Sequence, residues 1–547
     1  MKRAIIILSA FLTMLFAASC SPAEIRQAKV MTQAEIDEYN NKIHPGGDDT
    51  EEPGDTEDPG NPGNPDTPVV PEVQKVYYVS VGGAGEKTGV DAANAIDLGG
   101  FRSLVRDNAD ASKLSGVTVH FAAGTYILGD SNHPGGLEIA FGSSLTKVKL
   151  SLEGVDGTIF SGDSKYRILH AGAKLDLSVK GITFSNGYTT GHGGAIYAEG
   201  CSLNMENCTI SMNKSATGTS NNENNGGAIY LHKDLISASF KDCVFDKNRI
   251  SENGGNQFGG AVRIEAASSA NEVSFDGCVF TGNYAKQGAC INVNALTRLN
   301  INNCLFKGNS AESRGMIQVA NGVVFINGST FYGNTTTINN GWGVDIHGKA
   351  YLCLNNCTIY GNSNSSTTDG NNNAAINGYH SMLMTNCTVI ESCQLGLMRI
   401  DDAAGKQVLC NNILINTSGK TTLVGNTDAA TVTLGHNAMS PVTGFTAFTA
   451  AASDLVNCTE TSFGSHSYNE ASRAYTWNGT LDGFTPASQD DVEAAMLENF
   501  DLSISNLISN IGQAFHDWLE DMNPAGYTTD GRGVARAGSW WPGAYQN

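Results

Sequence analysis

Gly-Gly-Ala followed by an apolar residue recurs at Gly193-Gly194-Ala195-Ile196, Gly226-Gly227-Ala228-Ile229 and Gly259-Gly260-Ala261-Val262, and weakens to Gly288-Ala289-Cys290-Ile291. A second unit travels with it, a stretch ending in Asn-Cys or a near variant and followed by Phe-x-x-Asn. It runs from Cys243-Val244-Phe245 to Asn248, Cys278-Val279-Phe280 to Asn283 and Cys304-Leu305-Phe306 to Asn309, then from Phe331 to Asn334 and Ile359 to Asn362. A period of about 25 to 35 residues, with two short strands at least and no helical spacing, describes a solenoid of coils. The parallel β-helix fits: each coil buries an alternating set of apolar side chains, and stacking the coils satisfies the backbone of every strand. A β-propeller would need about 40 residues and four strands per blade. Proline agrees with a long sheet, because it cannot donate to a ladder. Seven of the 13 prolines fall between Pro45 and Pro71, and none lies between residues 135 and 440. Asparagine at the fixed position is expected to tolerate left-handed backbone and to hydrogen-bond along a stack of like residues.

The ends of the chain read differently. Lys2 and Arg3, the apolar stretch Ala4 to Phe16 and then Ala17-Ala18-Ser19-Cys20 have the form of an export signal, too short to span a bilayer. They resemble the bacterial lipoprotein signal, which implies removal of residues 1–20 before Cys20 and lipidation of Cys20; an ordinary secretory signal is the alternative. Residues 21–74 hold thirteen acidic and three basic residues, about half of the net charge of -21. Pro/Gly-rich and self-repelling, this segment reads as a disordered tether. The β-helix is expected over 75–460 and a capping region over 461–547. In that region Ser505 to Met522 spaces Leu507, Ile508, Ile511, Phe515, Trp518 and Leu519 as a helix that closes the solenoid's open edge, and Asp97 to Leu114 is expected to do the same at the other end.

The repeats resemble those of the chlamydial polymorphic outer-membrane proteins, a group of adhesins. Val76-Tyr77-Tyr78-Val79-Ser80 and Val117 to Tyr126 are similar to the start of pectin-lyase-like right-handed β-helix proteins, and Asp530 to Tyr545 to the tail that ends many of them. The resemblance covers about residues 76 to 547 and implies an all-β, right-handed parallel β-helix. That fold carries lyases, hydrolases and adhesins alike, so it leaves activity open.

Thirteen cysteines in an exported chain suggest disulfides. Cys208, Cys243, Cys278, Cys304, Cys357 and Cys387 nevertheless recur at one place in the repeat, with Ser329 filling the slot once. They are expected to point inward as small hydrophobes, and no metal site is expected of thiols that line up without converging. Pairs such as Cys353 with Cys357, or Cys387 with Cys393, remain open.

Alternation along the strands after the glycines gives the functional expectation. If Ile196, Ile229, Val262, Ile291, Ile317, Val344, Ile376 and Met398 point inward, then Tyr197, Tyr230, Arg263, Asn292, Gln318, Asp345, Asn377 and Arg399 form one outward column. Glu199, His232, Glu265, Asn294, Ala320, His347, Tyr379 and Asp401 form a second. Rings for stacking beside amides and carboxylates suit an extended polysaccharide or a host-surface glycan, though any exposed sheet face must be polar. An acidic chain poor in aromatics argues against nucleic acid. Asp345, His347, Arg399 and Asp401 are the candidates for catalysis, as a glycoside hydrolase with paired carboxylates or a lyase, the latter alone implying Ca2+. Gly191-His192-Gly193 resembles the Gly-His-Gly of polygalacturonase-type hydrolases in isolation, and reads equally as a glycine-rich turn. The leading expectation is a lipid-anchored, non-catalytic adhesin or glycan-binding protein at the outer-membrane surface, with a polysaccharide lyase or glycoside hydrolase as the competing class.

Overall fold

A computed structural model describes residues 75–500 apart from short internal stretches, the longest being 365–373. The chain divides into two units between Pro71 and Glu72, and the described residues belong to the second. There the chain winds through three long parallel sheets. A thirteen-stranded sheet runs from Val76–Val79 to Thr431–Gly435, a twelve-stranded one from Gly124–Ile127 to Ala438–Met439, and an eleven-stranded one from Leu137–Ile139 to Leu423–Gly425. A fourth, seven-stranded ladder of two-residue strands runs from Tyr188–Thr189 to Ser363–Asn364. One coil therefore reads Ser202–Glu206, Thr209–Ser211, Lys214–Ser215, Ile229–Leu231, four strands where the repeat shows two. This is the expected right-handed parallel β-helix, the hand that parallel crossovers take.

The repeated residues make the corners and the core. Between the thirteen- and twelve-stranded sheets the chain turns through one left-handed residue per coil: Asn207, Asp242, Gly277, Asn303, Gly328, Asn356 and Asn386 all have φ between 52° and 64°. Asparagine, aspartate and glycine tolerate that backbone best, which explains the residue preceding each cysteine. The asparagine of Phe-x-x-Asn bonds along a stack of like residues as expected, but the left-handed position belongs to the residue before it, Lys247, Gly282, Gly308, Gly333 or Gly361. The asparagine itself turns inward. Asn213, Asn248, Asn283, Asn309 and Asn334 each donate Nδ2 to the Oδ1 of the next, at 2.9–3.1 Å, and all are buried.

Beside that row, Phe245, Phe280, Phe306 and Phe331 stack face to face at 4.5–4.8 Å. Burial of each ring contributes about 2 kcal/mol. None of the twelve described cysteines forms a disulfide and all are buried, so neither Cys353 with Cys357 nor Cys387 with Cys393 is bridged. The cysteine slot continues past Cys387 as Asn412 and Asn437, again amide to amide at 2.9 Å. The first glycine of Gly-Gly-Ala is also left-handed: at Gly226 φ is 68°, and a Cβ there would lie 2.2 Å from the Ile229 carbonyl oxygen.

At the N-terminal end the helix Leu98–Arg106 plugs the core with Phe101 and Val105, and Phe101 meets Phe121 edge-on at 4.9 Å. At the other end the helix expected over Ser505 to Met522 lies outside the described residues. A different helix, Gln489–Phe500, and a hairpin pairing His466–Asn469 with Ala474–Trp477 are present. The hairpin lies along the flank of the solenoid: Tyr468 stacks on Tyr332 at 4.5 Å, and Tyr475, Trp477 and Phe463 bury Ile390, Ile413 and Ile415. Those isoleucines explain the arrangement, since the last strands are apolar on both faces and need a second layer. Among the described residues no helix is long and apolar enough to cross a membrane.

Candidate functional site

The eleven-stranded sheet places the outward column in register. Glu138, His170, Tyr197, Tyr230, Arg263, Asn292, Gln318, His347, Asn377 and Arg399 pair from strand to strand. One coil differs from the sequence alignment. Ile346, and not Val344, pairs with Ile317, which puts His347 in the first column beside Gln318. Both apolar residues have the same parity, so a slip of two residues leaves every side chain on its face and alternation cannot detect it. Asp345, Tyr379 and Asp401 lie outside the described residues, and His347 is described for its backbone alone. Arg399 is half-buried. The arrangement of the four catalytic candidates therefore lies outside the described residues.

The strip is also not open along its length. Tyr230 is 8% exposed, Arg263 4%, Asn292 0% and Gln318 3%. The segments ahead of the glycines form a further layer over this column, with Asn225, Phe258 and Gln287 bridged in parallel. The ring of His192 stacks on Tyr230 at 4.3 Å, and the Arg263 guanidinium lies 4.6 Å from the centre of the Phe258 ring. Beneath that layer Arg263 donates to Asn292, and Asn292 to Gln318. Arg263 also binds Glu265 through Nε at 2.8 Å, and Asn294 donates to the other Glu265 oxygen at 3.1 Å. Burial lowers the Arg263 pKa, with the neighbouring Glu265 opposing. Arg263, Asn292 and Gln318 thus form a buried polar seam, while Glu265 and Asn294 remain at its edge.

The accessible part is the N-terminal end. Tyr197 is half-exposed, with Tyr230 stacked at 5.3 Å on one side and His170 edge-on at 5.0 Å on the other. Arg167 lies 5.3 Å from the centre of the Tyr197 ring and is held by the carbonyls of Gly193 and His192 at 3.0 and 2.8 Å. His170 lies 3.8 Å from Glu138, and His232 lies 3.4 Å from both Glu199 and Asp234. Burial pushes the His170 pKa down, with Glu138 opposing, and pushes the Tyr197 phenol up, reinforced by Glu199. The recess thus offers the exposed edge of the Tyr197 ring, the Arg167 guanidinium and a carboxylate rim, with no phenolate near neutral pH. A cavity of about 510 Å3 continues it towards the N-terminal helix, between Arg106, His133, Glu138, Arg167 and His170.

His170 and Glu138 follow from extending the column two coils upward, but no Gly-Gly-Ala marks Leu169-His170-Ala171. Arg167, His192 and Asp234 stand on turns, where alternation gives no signal.

No protein-family model matches this sequence, and no curated protein does. Among solved structures it is similar to a pectate lyase at 14% identity and a TM-score of 0.29, over 54% of this chain and 78% of that one. A family 6 alginate lyase gives 11% and 0.29 over 75% and 56% of the two chains. A mannuronic-acid-specific family 6 polysaccharide lyase from human gut microbiota gives 13% and 0.33 over 82% and 99%. At these scores no residue role passes from those proteins to this chain.

Proposed function

We propose that the protein is a glycan-binding β-helix displayed on the bacterial outer membrane through a lipid on Cys20 and the acidic tether of residues 21–74. The observation that carries the reading is the half-exposed Tyr197 ring between Tyr230 and His170, rimmed by Glu138, Glu199 and Asp234. An apolar ring edge beside a guanidinium and carboxylates that bond hydroxyl groups is the chemistry of carbohydrate recognition. The site occupies the first coils, where the outward column is open, and the polar seam from Arg263 to Gln318 stiffens the wall behind it.

Affinity electrophoresis of the purified protein in native gels cast with different polysaccharides tests this. A band retarded over intact polymer, and released by Tyr197→Ala, supports binding. A cleared zone makes the protein a polysaccharide lyase or glycoside hydrolase, and unretarded migration in every gel removes the glycan reading.

A further inference from the structure

The outward face of the thirteen-stranded sheet changes character along the solenoid. One column of it is serine or asparagine in every coil from Ser178 to Asn300, and then reads Phe325, Cys353, Leu383 and Val408. Val324, Ile326, Leu352 and Leu354 point into the core, so alternation turns Phe325 and Cys353 away from it. The four apolar members of the column are nevertheless 0–3% exposed. The helix Gln489–Phe500 packs on the strands of the last two, Met382–Thr385 and Lys406–Cys410. There its Asp491 carbonyl lies 3.9 Å from the Cys410 thiol, and its Asp491 carboxylate 3.5 Å from the His436 ring. Cys353 and Phe325 stand one and two coils ahead of Met382–Thr385, and residues 501–547 continue the chain from the end of that helix.

We propose that this apolar face is the docking site of the segment after Phe500, with Leu507, Ile508, Ile511, Phe515, Trp518 and Leu519 laid over Phe325 and Cys353. A sheet that is apolar on its outer face needs a second layer, and the helix Gln489–Phe500 is the beginning of one. The lengths agree. A helix from Leu507 to Leu519 is about 18 Å long, and the four strands from Gly322–Asn327 to Lys406–Cys410 span about 14 Å. The charges agree as well. Arg298, with its guanidinium 5.6 Å from the centre of the Phe325 ring, marks the upstream border of the face, the sign that suits Asp517, Glu520 and Asp521 on the polar side of the segment. The segment is thus a side layer on the solenoid, where its spacing alone suggests a plug for the open end. The site is independent of the glycan reading, which concerns a different sheet.

Cys353 is a built-in reporter, since it points outward while Cys208 and Cys243 belong to the core. The test is a pulse of thiol-specific reagent without denaturant, read position by position by peptide mass spectrometry, on the full chain and on a chain ending at Phe500. Both are expected to leave Cys208 unlabelled, and the shortened chain to label Cys353 about tenfold faster or more. If the shortened chain labels Cys208 as well, it has unfolded, and Ile511→Asp and Phe515→Asp in the full chain decide in its place by releasing Cys353 ahead of Cys208. Cys353 as protected in the folded shortened chain as in the full one, or released by neither substitution ahead of Cys208, overturns the proposal. So does protection that fades on dilution of the full chain, which would make a second copy the cover.

Discussion

Asn362 donates Nδ2 to Glu391 Oε1 at 2.7 Å, and its backbone N–H reaches both oxygens of the same carboxylate at 3.1 and 3.2 Å. Glu391 is 4% exposed and receives the amide row that begins at Asn213. Replacing it with leucine leaves two buried donors on Asn362 without their acceptor, at a cost of about 2–4 kcal/mol. Glu391→Gln keeps an acceptor and loses less. Urea midpoints of the two variants check this, and equal midpoints would remove the row's terminus as a source of stability.

Within the row, Asn283 donates to the Phe245 carbonyl and to Asn309, and accepts from the amide and the side chain of Asn248. Asn283→Leu therefore breaks four bonds in a dry core and is expected to cost about 3 kcal/mol or more, while Asn309→Leu costs a similar amount one coil on. The double variant is expected to cost less than the sum, because the two share one bond. Chemical denaturation of the three proteins gives the coupling directly.

Burial raises Cys201 and Cys410 to about 12 and Tyr126 to about 12, against ordinary values near 9 for the thiols and 10 for the phenol. Each group is neutral in the folded chain and ionises more readily in the unfolded one. Their contribution to stability is thus whole below about pH 9 and is lost progressively as pH rises towards 12. The urea midpoint should be level from pH 7 to 8.5 and fall above pH 9. At pH 8 the native protein should also leave Cys201 and Cys410 unreacted with a thiol-specific dye until denaturant is added. Rapid labelling of either without denaturant would contradict the buried, protonated thiols.

Tyr197 and Tyr230 separate binding from folding. Tyr197→Ala removes a half-exposed ring and is expected to weaken glycan retardation about tenfold, the loss of roughly 1–1.5 kcal/mol of ring contact, with little change in thermal midpoint. Tyr230→Ala removes a ring that is 8% exposed and is expected to destabilise by about 3 kcal/mol. A Tyr197 variant that binds normally would move the site elsewhere on the surface.

Much of this is legible in the sequence itself. The inward isoleucines, the cysteine slot and the amide row all follow from residues that return once per coil, and every coil then reports the same environment. Legibility failed where the repeat falls silent. A two-residue slip between Val344 and Ile346 preserves alternation, and no pattern shows that the layer carrying His192 and Phe258 folds over the column and hides Arg263 and Asn292. Asp234 was missed because it reaches the recess from a turn. The hairpin around Tyr468 was missed because its partners, Tyr332 and Tyr360, lie more than a hundred residues earlier.

That hairpin leads to a further expectation. A chain ending at residue 459 uncovers Ile390, Ile413 and Ile415, each worth about 1.5–3 kcal/mol of burial. It should elute as oligomers in size-exclusion chromatography with light scattering, and a monomer with an unchanged urea midpoint would show the flank to be self-sufficient.

The two amide rows share a direction. From Asn213 to Asn362, and again from Asn412 to Asn437, every Nδ2 donates towards the following coil, so each row is a line of dipoles with its positive end facing the C-terminal coils. Both lines end on an anion, Glu391 in one and Asp454, 3.0 Å from Asn437 Nδ2, in the other. At its negative end the first line is met by the Gly187 N–H, at 2.8 Å. The arrangement repeats the logic of a carboxylate at a helix N-terminus. It also gives the solenoid a polar axis: a coil added upstream of the acid lengthens the row by one more asparagine, whereas the coils beyond Glu391, from Ile413–Asn416 on, stand outside that row.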